Sequence, residues 1–415
     1  MKALRFHNKM PRIAATKILG QIASSAFTGP LAPMTLDEIP EPRLPAPDWV
    51  RVRTRLAGIC GSDLKQLLLK GSLDNPLTAL LSFPHVLGHE AVGEIEEVGP
   101  AVVERKVGER VLLNPWLSCG PRGIDPPCAA CATGDYTLCR NFDGGCLPPG
   151  IHLGNNAGAP GVFARHFVAH QSQCLPVPEP VSDDAAVLGD PFSVSLHSIL
   201  KRPPQPDAPV LVYGLGPLGL LAVVGLKALY PDTTVYAVGK HAHQGELARR
   251  FGADEILVGK PAALIERVAE LTGARVYRPW YGLPWLIDGV GVVYDTVGSS
   301  QTLEVSVRVA RARGSVVVSG VEAPRRFEWT PIYFKEVDVV GSNAFALEDF
   351  EGERLHAMEI YLRLAERGLD VTPLITHRFT LERWREAFQT LMKRRSSGAI
   401  KIVIEPEPSA VRAHR

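Results

Sequence analysis

The chain has 415 residues, more than one hydrophobic core usually holds, so two domains are expected. Hydrophobic residues make up 46% and charged residues 21%, the profile of a soluble globular protein. Lys plus Arg total 45 against 44 Asp plus Glu, which gives no reason to expect nucleic acid or an anionic membrane as a partner, and no apolar run reaches bilayer-spanning length.

The opening MKALRF reads as a first strand. The first 36 residues carry Lys2, Arg5, Lys9, Arg12 and Lys17 and no Asp or Glu, slightly like a transit peptide. No compact apolar core or small-residue cleavage site follows, so the segment is expected to stay with the protein, in the cytoplasm. Residues 9–33, KMPRIAATKILGQIASSAFTGPLAP, have the apolar spacing of a short amphipathic helix, expected to dock on the protein surface or on a subunit neighbour.

Next comes GICGSD, which puts Cys60, Ser62 and Asp63 together, and then FPHVLGHEAVGEIEEVG, which puts His89 and Glu90 after a glycine turn. Between Cys119 and Cys139 four of the seven cysteines are spaced C-x8-C-x2-C-x7-C. The odd total and the lack of a secretory signal argue against a disulfide framework. Four thiolates suit a closed tetrahedral zinc site: Cys128 and Cys131 chelate from a tight turn, and Cys119 and Cys139 complete the shell. Gly120, Pro121, Gly123, Pro126, Pro127 and Gly134 mark the stretch as a loop with little core of its own, so metal binding would supply its order. Cys146 is a spare thiol. Further on, LGDPFSVSLHSIL brings Asp190. A thiolate, an imidazole and a carboxylate from Cys60, His89 and Asp190 would hold a second zinc and leave one position open.

KRPPQPDAP is a Pro-rich connector into PVLVYGLGPLGLLAVVGLKAL, an apolar strand, a glycine turn and an apolar helix. Gly214, Gly216 and Gly219 fit G-x-G-x-x-G, with Pro217 and Leu218 completing the turn, so a pyrophosphate is expected on the helix N-terminus. The following strand, TTVYAVG, ends at Gly239. There an NAD site usually has an acidic residue for the ribose 2′-hydroxyl; this chain has Lys240 and His241, with His243 beyond, so NADP(H) is favoured over NAD(H). ADEILVG, AALIERVAELTG, GVVYDTVG, a helix over 302–312 and GSVVVSG continue the alternation of a doubly wound parallel sheet. VYRPWYGLPWLIDG interrupts it with an aromatic loop, read as an oligomer contact, a substrate lid or a local pack.

GICGSD, GHEAVGEIEEVG, VGERV, the tetracysteine lobe, LVYGLGPLGLLAV and ITHRFTLERWREAF stand in this order over almost the whole chain. Together they resemble the zinc-containing medium-chain alcohol/polyol dehydrogenases, close to the threonine and sorbitol dehydrogenases. The resemblance implies an α/β fold: a GroES-like β-rich catalytic domain over 1–190 and 344–415, with its structural-zinc lobe at 119–139, and a Rossmann domain over 191–343. It implies that Cys60, His89 and Asp190 bind catalytic zinc, that Glu90 can approach the metal, that Asp63 orients His89, and that Ser62 passes the alcohol proton outward. Hydride would move between a small alcohol or ketone and NAD(P), with two zinc ions per subunit, in a homodimer or homotetramer. Three departures stand out. Asp190 replaces the commoner Cys or Glu, Lys65 replaces a His that often continues the proton path, and the first gap of the lobe is longer than usual. Trp116 is read as a cleft wall or as core packing. The alternatives are a zinc-independent quinone or enone reductase on the same scaffold, and a non-catalytic NADP(H)-binding sensor.

Overall fold

A computed structural model describes residues 1–71, 75–322 and 326–407. The chain divides into two compact units, one of residues 1–190 with 358–415 and one of residues 191–357. Residues 408–415 of the expected catalytic-domain tail lie outside the described residues.

The first unit is built on a sheet whose order is Ile375–Thr380, Lys401–Glu405, Trp49–Gly58, Glu90–Val98, Arg110–Leu113 and Cys174–Pro176, with His166–His170 also paired to Trp49–Gly58. Alternation explains the central pair. In WVRVRTR, Val50, Val52 and Thr54 point inward, while Arg51, Arg53 and Arg55 face out. Each arginine meets carboxylates: Arg51 with Glu97 at 2.7 Å, Arg53 with Glu94 at 3.0 Å and Glu96 at 2.8 Å, Arg55 with Glu94 at 3.1 Å and Asp183 at 2.8 Å. The inner face packs Trp49, Val52, Ile95, Phe163, Phe167, Trp384 and Phe388 into one core. Burying each such side chain contributes about 1.5–3 kcal/mol before chain entropy is subtracted. A smaller sheet joins Met34–Glu38, Lys2–Phe6 and His85–Val86.

The expected helix of the first insertion spans Met10–Ile22. It is docked through its following turn, where Arg385 donates to the Thr28 carbonyl at 2.9 Å and Gln389 to the Thr28 hydroxyl at 3.0 Å. Met10, Ile18, Leu19 and Ile22 stay exposed, and only Thr16 of the helix is buried.

The second unit holds a six-stranded sheet, all neighbours parallel, in the order Glu255–Leu257, Val235–Val238, Val210–Tyr213, Val290–Asp295, Ala310–Val318 and Asp338–Gly341. In chain order this runs third, second, first, fourth, fifth, sixth, the doubly wound dinucleotide-binding arrangement. The helix expected over 302–312 is Ser300–Val309, because Ala310 turns extended and starts the next strand. The aromatic interruption is a short hairpin, Val276–Tyr277 against Trp285–Leu286. Trp285 packs on Tyr277 and Phe334 while Trp280 and Tyr281 at the tip are fully exposed.

The sequence reading returned the chain to the catalytic domain at 344, whereas residues 344–357 group with the second unit. The reason is a second hairpin, Leu347–Phe350 with Glu353–His356, whose Glu351 and Gly352 both have positive φ. Its Glu348 bonds His197 Nδ1 at 2.5 Å. No helix among the described residues is long and apolar enough to cross a membrane.

Candidate active site

Cys60 follows the Trp49–Gly58 strand and caps the Gly61–Leu67 helix. Its backbone N–H donates to Asp63 Oδ2 at 2.9 Å, so the helix start fixes both side chains. The other Asp63 oxygen lies 3.8 Å from His89 Nδ1, a buried atom with no hydrogen-bond partner. Cys60, His89 and Glu90 each offer a ligand atom within 4.8 Å of the others. Asp190 stands outside that group, yet its charge acts on His89 and Glu90. It is buried in the first turn of the Gly189–Lys201 helix. Ser62 is exposed on the Gly61–Leu67 helix, next to Cys60 and outside the cluster.

Two residues that sequence reasoning missed shape this site. Lys401 is buried and its ammonium bonds Glu90 Oε2 and, at 3.2 Å, the Ile59 carbonyl. Gly58 makes room for the pair, since a Cβ there would run into the Glu90 carboxylate and come within 2.9 Å of Lys401. One Glu90 oxygen is therefore committed to a cation already. The second missed residue is His152, whose ring centroid is 4.6 Å from that of His89. The Leu153 carbonyl can only accept, so Nδ1 carries the His152 proton, and Nε2 accepts from the Asn155 amide at 3.3 Å. Burial, with the neighbouring His89, pushes His152 down to about 3, so it is neutral. Trp116 packs on His152 and Phe142.

The donors fit a divalent cation. Burial pushes the Asp190 carboxyl up to about 7 and raises that of Asp63. Burial opposes charge on His89 too, but Cys60 and Asp63 hold its proton on well above the usual imidazole range. Two buried carboxyls and a buried imidazole thus compete for protons, which a bound cation resolves.

Cys119, Cys128, Cys131 and Cys139 also offer atoms within 4.8 Å of one another. All seven cysteines are free, and the 3.6 Å between the Cys119 and Cys139 sulfurs is far beyond a disulfide. Donors surround the sulfurs: Cys128 N–H and the Asn141 amide to Cys119 at 3.4 and 3.2 Å, Arg140 N–H to Cys128 at 3.5 Å, Asn141 N–H to Cys139 at 3.4 Å. Burial works against the Cys128 thiolate, but such donors bring it down to about 6. Burial raises Cys131, and pushes Cys139 up to about 11. One thiolate forms readily and its neighbours resist, the pattern a metal ion replaces with four bonds.

In the second unit Gly214 has φ +98°, a conformation that suits glycine, and a Cβ at Gly219 would strike the Gly214 carbonyl. Gly216 faces open space, Pro217 starts the Pro217–Leu229 helix, and Leu218 is half-buried on its first turn. Gly239 follows the Val235–Val238 strand and lies against Leu215; beyond it Lys240 is exposed, and the rings of His241 and His243 stack at 5.5 Å.

Residues 46–179 match the alcohol dehydrogenase GroES-like domain, and residues 217–358 match the zinc-binding dehydrogenase family. Sorbitol dehydrogenase of Arabidopsis thaliana is 31% identical over 86% of this chain and 88% of its own length. The chain belongs to the zinc-dependent medium-chain alcohol and polyol dehydrogenases. Its fold matches that of 2R,3R-butanediol dehydrogenase from Bacillus subtilis, with TM-score 0.73 and 25% identity over 98% of this chain and 99% of that one. It also matches a zinc-binding dehydrogenase from Sinorhizobium meliloti 1021 bound to NADP, with TM-score 0.67 and 25% identity over 90% of this chain and 95% of that one. As a member of this family the dehydrogenase is an α/β protein with a GroES-like and a Rossmann domain.

Proposed function

We propose that this dehydrogenase oxidises a secondary alcohol or polyol at the Cys60–His89 centre, with NADP as the favoured hydride acceptor. The observation that carries the reading is the convergence of Cys60, His89 and Glu90 within 4.8 Å, with Asp190 in electrostatic reach. Cys60 and His89 would hold zinc. Asp190 is the better third ligand, because Glu90 is already engaged by Lys401. When bound, zinc supplies Lewis acidity that makes an alcohol proton easier to lose near neutrality. Asp63 fixes Cys60 through its backbone and faces His89 Nδ1, keeping both donors aimed. Ser62, exposed beside Cys60, is placed to carry a proton to solvent. The tetracysteine lobe would hold a second zinc with a structural role.

In the second unit, the glycine turn would seat the pyrophosphate on the N-terminus of Pro217–Leu229. Lys240 and His241 stand where a 2′-phosphate would lie, with no carboxylate at Gly239 to repel it. Relatives named for sorbitol and butanediol set the substrate range worth testing: vicinal diols and open-chain polyols. The test is a panel of such alcohols with NAD and NADP in parallel, beside zinc content per chain. Turnover with a polyol and two zinc ions per chain support the reading; a single zinc ion, or no turnover across the panel, overturns it.

A further inference from the structure

Arg122 is fully buried, yet among the described residues it forms no ion pair with a carboxylate. Its guanidinium is saturated by backbone carbonyls: Nε donates to Leu117 at 2.8 Å, Nη1 to Gly144 at 2.7 Å and Leu147 at 3.0 Å, and Nη2 to Pro148 at 3.1 Å and Gly150 at 2.7 Å. All five of its N–H bonds are used, the full capacity of the side chain. Burial disfavours its charge, opposed by the nearby Cys139, Cys146, Asp143 and Cys119, two of them in the tetracysteine cluster.

Arg122 lies three residues after Cys119, inside the lobe, and its own carbonyl accepts from Cys146 N–H at 3.1 Å. The residues it grips lead straight to the catalytic centre. Beyond Gly150, residues 151–153 pair antiparallel with 115–117: Leu117 N–H bonds the Ile151 carbonyl at 3.0 Å, and Leu153 N–H bonds the Pro115 carbonyl at 2.9 Å. His152 sits in the middle of that pairing with its ring against His89. A buried guanidinium therefore joins the four-sulfur lobe to the backbone that carries His152.

We propose that Arg122 is a positioning residue whose grip on residues 144–150 makes the packing of His152 against His89 depend on an intact tetracysteine lobe. The inference rests on the lobe binding metal, as argued above. Loss of lobe metal would loosen the 119–139 loop, shift Arg122, and free the 150–153 segment. His152 would then lose its fixed tautomer and its place against His89.

Hydrogen–deuterium exchange on the full chain tests this, beside the imidazole ¹⁵N shifts of His152 and zinc content. Arg122→Lys keeps a cation and loses the planar fork. It should speed exchange at 150–153 by about tenfold or more with lobe zinc retained, since several charge-assisted bonds are lost. The His152 shifts should move from the Nδ1-protonated signature toward the averaged values of a free imidazole. Cys131→Ser, which removes a lobe sulfur, should do the same, while exchange in Val235–Val238 of the second unit stays constant. Combining both changes should add nothing further at His152, as expected for two breaks in one linkage. A folded Arg122→Lys protein with unchanged exchange and shifts overturns the proposal, and so do two effects that simply add. Should Arg122→Lys not fold, Cys131→Ser alone decides: unchanged exchange at 150–153 overturns it. Zinc absent from the wild-type lobe would refute the metal reading, while the Arg122→Lys data still decide the role of the arginine.

Discussion

Replacing Lys401 by Met leaves the Glu90 carboxylate buried without the ammonium that bonds it. The side chains of Lys401 and Glu90 are 1% and 2% exposed. At about 3 Å and an effective dielectric of about 20, two unit charges attract by about 5–6 kcal/mol, which largely offsets the cost of taking both out of water. The intact pair is thus near neutral for stability, but the orphaned carboxylate is not. Breaking such a pair costs about 3–5 kcal/mol. Removing both charges, as Lys401→Met with Glu90→Gln, should recover most of that loss. Arg53→Met is the control: its pair with Glu96 is about a third exposed on both sides, and it should cost under about 1 kcal/mol. Urea unfolding of metal-free protein, followed in the first unit by exchange mass spectrometry, measures all four proteins. A Lys401→Met cost as small as that of Arg53→Met, or a double variant no better than the single one, would refute the reasoning.

Three further outcomes are expected. Burial pushes Asp190 up from 3.8 to about 7, so in metal-free protein the folded state holds a proton that the unfolded state releases; melting temperature should fall as pH rises from about 4 to about 7, and Asp190→Asn should flatten the slope over that range. His89, whose proton Cys60 and Asp63 hold on against burial, acts in the same direction at higher pH, its contribution fading as pH rises above about 6.5. Lys240→Glu places a carboxylate where a 2′-phosphate is expected and should raise the KM for NADP about tenfold or more while sparing NAD; equal change with both cofactors would remove Lys240 from that site. Trp280→Ser with Tyr281→Ser alters two fully exposed side chains and should shift stability by under about 0.5 kcal/mol in thermal melts of dilute protein.

The Rossmann unit was legible because each of its parts is local. An apolar strand, three glycines and a helix are contiguous, and the alternation of strands and helices marks a parallel sheet; its strand order came only with the structure. The tetracysteine cluster was legible from spacing alone. Lys401 was not, because a lysine opening KIVIE looks the same whether it flanks a strand in solvent or lies inside it; burial follows only from pairing with a carboxylate 311 residues away. His152 sits in a loop with no periodicity, and only the antiparallel pairing of 151–153 with 115–117 brings it to His89. Asp190 was expected as the third ligand, and the side chains gather Glu90 more tightly, since it directly follows His89 at the start of the Glu90–Val98 strand.

The rows of arginine and glutamate on the outer face of the first sheet carry a consequence for how that sheet assembles. If Trp49–Gly58 slipped by one residue against its neighbour, Arg51, Arg53 and Arg55 would turn inward and Val50 and Val52 would face water. Each guanidinium would also lose the acid that meets it in the native alignment. Misaligned pairings of the two strands therefore carry a double penalty and come apart sooner than the native one, so this pair proofreads its own assembly.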